Sequence, residues 1–166
     1  MKVQLQKLTF AELDKLCEYA NNVKIFDNLT DQFPHPFTRE KGEAFIQKQI
    51  DSEVDFVLAI HADNNFVGCI GIHQQADVYR RNAELGYWIA EEFWGKGIIS
   101  KAIPLMVEYA FAHFEINRIF ARPYGHNSAS QKALEKSGFK LEAHLKDTFY
   151  KNGKFLDELI YAVRRN

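Results

Sequence analysis

Several things are scarce in this 166-residue chain. Its two cysteines, Cys17 and Cys69, fall on a predicted helix and a predicted strand, without a CxxC or histidine-rich companion. No metal or redox role is expected of them, and both read as apolar core groups. No stretch approaches the roughly 18 apolar residues of a membrane span. The opening MKVQLQKLTF lacks the apolar core of a signal peptide. Charge of one sign is missing too: a net charge of -1 argues against a dedicated nucleic-acid binder, which needs a basic surplus. No repeat, low-complexity run or Ser/Pro-rich linker divides the chain. Residues 1–166 are therefore expected to form one domain of a reduced, cytoplasmic protein, a monomer or weak homodimer, with no metal, no membrane and no nucleic-acid partner.

What is present is an ordinary globular mixture, 46% hydrophobic and 26% charged. VQLQKL alternates as a first strand, and Thr9 with Glu12 forms a capping box for a helix reaching about Ala20. Residues 21–37 are rich in turn formers and read as a long irregular loop, and Thr38 caps a second helix. DFVLAI and FVGCIGIH form a hairpin about ADNN, and NAELGYWIA is a third strand. A glycine turn then opens a helix from Ile98 to His113, which Pro104 should kink or loosen. RIFARP is a short strand, followed by a helix that Asn127 caps and Gly138 stops. Two strands around KNGK close the chain as a hairpin. The order β-α-α-β-β-β-α-β-α-β-β predicts an α/β (α+β) fold with a mixed sheet and a β-α-β crossover in its second half.

EEFWGKGIISKAI, Glu91 to Ile103, carries the chemistry. A helix start offers unpaired amides and the positive end of the helix dipole, and glycines before it let a phosphate reach the main chain. A plain strand-to-helix turn fits the same residues. A Walker loop is excluded, since Gly97 is followed by Ile98 and not by Lys. A dinucleotide fingerprint lacks its third glycine, where Ser100 stands, and the next strand ends in Arg-Pro instead of an acid. Coenzyme A pyrophosphate remains.

ELGYWIAEEFWGKGIISKAIPLMVEYAF, followed by NRIFARPYGHNSASQKALEKSGFKLEAHLKD, resembles the GCN5-related N-acetyltransferases (GNAT), and their RimJ/RimL branch in particular. DQFPHPFT and the tail YKNGKFLDELIYAVRR are similar to segments of that branch. The family's acetyl-CoA turn aligns on Trp94, Gly97 and Ile99; a small residue is usual where Ile99 stands. Its second signature aligns on Asn127, Ser130, Gly138 and Phe139. The tyrosine that protonates the leaving thiolate in many members is Leu134 here.

The resemblance implies a mostly antiparallel central sheet of about six or seven strands and transfer of an acetyl group from acetyl-CoA to a primary amine, by direct transfer in a ternary complex. The acceptor would be a peptide or protein N-terminus, a ribosomal protein's included, or a small amine. The implied acetyl-CoA site comprises Trp88, Ile89, Ala90, Trp94, Gly95, Lys96, Gly97, Ile98, Ile99, Ser100, Asn127 and Ser130. A backbone amide between Trp88 and Ala90 would polarise the thioester. Glu84 is the candidate base: strand alternation puts Glu84, Gly86 and Trp88 on one face, though a solvated edge carboxylate reads the same. Asn127 and Ser130 are the other catalytic candidates, with an N-cap and a solvent-facing serine as their plain alternatives. Phe33, His35, Phe37 and His73 join Glu84 as candidate acceptor contacts, His73 also as a second candidate base. A non-catalytic acyl-CoA-binding module and a plain nucleotide-binding domain are the competing expectations.

Overall fold

The computed structural model describes residues 1–54 and 56–166; Asp55, at the start of the predicted DFVLAI strand, lies outside the described residues. Seven strands form one sheet in the order β1-β2-β3-β4-β5-β7-β6. The pairs β1·β2, β2·β3, β5·β7 and β6·β7 are antiparallel, and β4·β5 is parallel. By contact density the chain forms two compact units, residues 1–71 with 87–98, and residues 72–86 with 99–166.

The first unit holds β1 (Val3–Lys7), α1 (Leu13–Ala20), the one-turn α2 (Val23–Phe26), α3 (Arg39–Ile50), β2 (Val57–Ala62) and most of β3 (Asn65–Gln74). The Thr9–Glu12 capping box is in place, but it caps a 3-10 turn, Phe10–Glu12, that leads into α1. α1 buries Leu13, Leu16 and Ala20, spaced one and two turns apart, so a single stripe faces the core. These meet Ile25, Phe37, Ile46, Val57, Phe66, Cys69 and Trp88 in one apolar cluster. Residues 21–37 are less irregular than expected, because the Asn22 side chain accepts from the Lys24 amide and starts α2. The β2–β3 hairpin turns on Asp63 and Asn64, both at positive φ, which matches the twist of two-residue hairpins.

The second unit begins inside β3 and takes the first part of β4 (Asn82–Ile89). It continues through most of α4 (Ile98–His113), then β5 (Arg118–Ala121), α5 (Ser128–Lys136), β6 (Lys140–Lys151) and β7 (Lys154–Arg164). α4 buries Ala102, Ile103, Met106 and Ala110, and β5 buries Ile119 and Ala121. Pro104 lies within α4 without interrupting it. Proline removes the bond to the carbonyl four residues back, that of Ser100, and the Ser137 hydroxyl lies 3.5 Å from that oxygen. β6 and β7 turn on Asn152 and Gly153, as KNGK predicts.

Candidate active site

In the first unit the turn after β4 is built by local bonds. A 3-10 turn, Glu91–Phe93, closes on Ala90 O and Glu91 O, and the Trp94 indole N–H donates to Ile89 O at 2.9 Å. Trp94 so ties the turn to the strand end. Gly95 and Gly97 then adopt φ 74° and 71°, where a side chain is strained, and nothing lies within 4 Å of where a Cβ would be. Gly95, Lys96 and Gly97 are exposed, whereas Ile98 is buried and anchors the first turn of α4. Ile99 and Ser100 are half-buried. The Lys96 ammonium rests over the Phe93 ring at 5.0 Å. An anion approaching this helix start meets main chain, not side chains, which is what a pyrophosphate seat requires.

The strand end sorts the three amides expected to polarise a thioester. Ala90 donates to Val67 O at 2.8 Å, so its amide is committed to β3. Adjacent N–H groups of an extended strand point to opposite edges, so the Ile89 amide turns away from β3, and the Ile89 carbonyl on that same edge takes the Trp94 indole. Ile89 is the donor of the three that is directed off the ladder. Gly68 lets β3 come this close: a Cβ there would lie 2.1 Å from Trp88 O. The Trp88 ring is core, with centroids 5.9 Å from Phe33 and 6.4 Å from Phe66.

In the same unit the front segment is anchored to the turn through Glu91, whose carboxylate accepts from Asn22 Nδ2 at 2.9 Å and pairs with the Lys24 ammonium. Lys24 first, and Asn22 second, hold that carboxyl below its ordinary range. Phe33 is half-buried and lies 5.6 Å from the Phe37 ring, while Phe37 is a core residue at 5% exposure. His35 is exposed and stacks on Phe26 at 5.3 Å.

The second unit carries the acid–base candidates. Glu84 is half-buried, and both its oxygens accept from Arg122, Nε to Oε1 and Nη2 to Oε2, each at 2.9 Å. Arg122 Nη1 also lies 3.7 Å from Glu158 Oε1. The Glu84 carboxylate raises the Arg122 guanidinium above its ordinary value, ahead of the opposing cost of burial. Arg122, but not Glu84, lines a groove of about 270 Å³ together with Gln75, Asn82, Arg118, Phe120, Glu158 and Ile160, among others. Asn127 caps α5: its Oδ1 accepts from the Ser130 amide at 3.2 Å. Leu134 is fully buried. His73 is exposed near the end of β3. The Arg122 clamp escaped the sequence reading; its only signal was the i, i+2, i+4 placement of Arg118, Phe120 and Arg122 along RIFAR.

Among the described residues no group of three or more His, Cys, Asp or Glu is placed to hold a metal ion, and no helix is long and apolar enough to cross a membrane. YdaF of Bacillus subtilis (strain 168), which carries an N-acetyltransferase name, is 39% identical over 101 residues, 61% of this chain and 55% of its own length. The chain thus spans about half the length of this relative and of YoaA from the same organism. Among solved structures, RimL, a ribosomal L7/L12 alpha-N-protein acetyltransferase in complex with coenzyme A, superposes with a TM-score of 0.83 at 24% identity, over 99% of this chain and 94% of that one. A spermidine N-acetyltransferase from Vibrio cholerae, in complex with CoA and spermine, gives 0.81 at 23% identity, over 98% and 95%. These two likenesses are of fold. The family model of the acetyltransferase (GNAT) domain matches residues 2–140, which take in β4, the glycine turn and the Asn127 cap. With the sheet order, the turn and that match in agreement, the chain belongs to the GNAT acetyltransferase family.

Proposed function

We propose that this chain transfers the acetyl group of acetyl-CoA to a primary amine, by direct transfer within a ternary complex, in the cytoplasm and as a monomer or weak homodimer. The observation that carries the reading is the open glycine turn: two left-handed glycines with free space above them, opening a 16-residue helix. The amides from Gly95 to Ser100 hold the pyrophosphate there, with Lys96 as a mobile charge at the rim and Trp94 keeping the turn in register. The Ile89 amide donates to the thioester oxygen, while Trp88 and Ala90 fix the strand that presents it. Asn127 and Ser130, at the start of α5, complete the donor contacts.

A thioester is already an activated acyl donor, so the chain's task is to hold donor and amine together, an effect of up to about 7–11 kcal/mol. As the N–C bond forms the C–S bond breaks, the nitrogen loses a proton and the sulfur gains one. Leu134 offers no proton, so the thiolate takes it from solvent or from the nitrogen itself. Glu84 and His73 serve the acceptor side, and Phe33, His35 and Phe37 shape the front loop, Phe37 by packing. The acceptors for which the two solved neighbours are named, a ribosomal protein N-terminus and a polyamine, share one chemistry, a primary amine.

The test is a free-thiol release assay with acetyl-CoA over peptides, polyamines, amino acids and aminoglycosides, beside a thermal-shift titration. Acetyl-CoA at a hundred times its Kd should add about 2.7 kcal/mol of stability, a rise in Tm of roughly 5–10 °C for a domain of this size. No shift, and no thiol released with any amine, would end the reading.

A further inference from the structure

The second unit carries a row of charges across one face of the sheet. β4 and β5 pair in parallel over only three positions, and the last of them sets Glu84 beside Phe120. Arg122, two residues beyond Phe120 and on its face, reaches back to Glu84 with a two-pronged fork and leans over the Phe120 ring at 6.0 Å. On its far side stands Glu158, a carboxylate on β7 at 5% exposure. One guanidinium therefore serves two carboxylates, and the triad keeps one negative charge in excess. From β3, the bond from Gln75 N to Asn82 O sets an antiparallel register in which His73 stands opposite Glu84. Arg118, a second guanidinium on this face, is engaged by Asn82 and Glu142, and Arg164, opposite it on β7, pairs with Glu142 as well. The groups facing Glu84 are thus Arg122, His73 and, through the arginine, Glu158.

Arginine does not titrate in any working range, so a carboxylate with both oxygens on its fork is held in one orientation beside a permanent cation. Such a group receives a cation better than it abstracts a proton. Resting on the amine-acetylation reading, we propose that Arg122 is a positioning residue for the acceptor: it aims Glu84 as a fixed carboxylate that receives the incoming ammonium, and Glu158 holds the arginine in place. A substrate that enters as an ammonium, peptide N-terminus or aliphatic amine alike, fits the excess negative charge of the triad.

The test compares Arg122→Gln and Arg122→Lys in steady-state thiol release, with the amine and acetyl-CoA each varied. In Arg122→Gln, kcat/KM for the amine should fall about tenfold at neutral pH, as expected when a reacting partner is misplaced, with KM for acetyl-CoA unchanged. Arg122→Lys keeps the charge but not the fork, so its kcat/KM for the amine should still fall, with KM for acetyl-CoA again unchanged. Adding Glu84→Gln to Arg122→Gln should cost little more, since the two act as one unit. Unchanged kinetics in both variants, or losses that multiply in the double variant, would overturn the inference. If Arg122→Gln fails to fold, Arg122→Lys at wild-type Tm decides alone: an unchanged kcat/KM for the amine overturns it. Wild-type protein that releases no thiol with any amine removes the reading beneath; active wild type with indifferent Arg122 variants removes only this inference.

Discussion

A methyl group added at Gly68 would put its carbon 2.1 Å from the carbonyl oxygen of Trp88. Backbone cannot yield as a side chain end can, so Gly68→Ala should cost about 3 kcal/mol by overpacking, read as a drop in chemical-denaturation midpoint. The same substitution at Gly97 meets no atom, and only its φ of 71° opposes it. Gly97→Ala should therefore cost about 1–2 kcal/mol of stability, and its larger effect should be on acetyl-CoA affinity, measured by calorimetric titration. Equal loss of affinity in both variants would argue against a separate role for the turn. At this scale single residues were unevenly legible. Glu84, Asn127 and the two glycines stand out from strand alternation, cap preference and the turn pattern. Arg122 does not, because a contact between residues 38 apart in sequence leaves no local mark. The choice of Ile89 among three amides was equally hidden, since it follows from which edge β3 occupies.

Elements were read more completely than residues. The two-residue turns, the Thr38 and Asn127 caps and the apolar stripes of α1 and α4 all have local causes, and each element lies where those causes put it. The miss is also physical: α2 is one turn started by the Asn22 side chain inside a segment read as irregular, while Pro104 lies within an assigned helix that runs past it. On the final hairpin, Asp157 joins elements that are distant in sequence. Its carboxylate accepts from the Asp147 amide at 3.1 Å and bonds the His144 ring nitrogen at 2.7 Å, and its own carbonyl accepts from the Gly125 amide at 2.8 Å. The bond to His144, and then the Asp147 amide, hold its carboxyl below the ordinary range. A depressed carboxylate stabilises the fold above its unfolded value, about 3.9, and that contribution disappears as pH falls through the folded value. Asp157→Asn should thus lower Tm at neutral pH, and the gap to wild type should close as pH drops below about 4. A gap that stays constant with pH would assign the loss to packing alone.

For the whole molecule, the composition excluded more than it specified. A net charge of -1 and two isolated cysteines argue against a basic nucleic-acid binder and a CxxC site as expectations, but neither points to an amine. The order of elements was enough to predict a mixed sheet, since each element has local causes, while the family came from the resemblance of two long stretches, around the glycine turn and around Asn127, and not from the turn alone. The acceptor was not legible, because the contacts proposed for it, Glu84, Arg122 and Glu158, come from several elements and are grouped only in three dimensions. The central claim is that donor and amine react directly while both are bound. Initial rates of thiol release, with acetyl-CoA and the best amine varied together, test it most directly. The account predicts double-reciprocal lines that intersect. Parallel lines, the sign of an acetylated enzyme intermediate, or thiol release that does not depend on the amine, would contradict it.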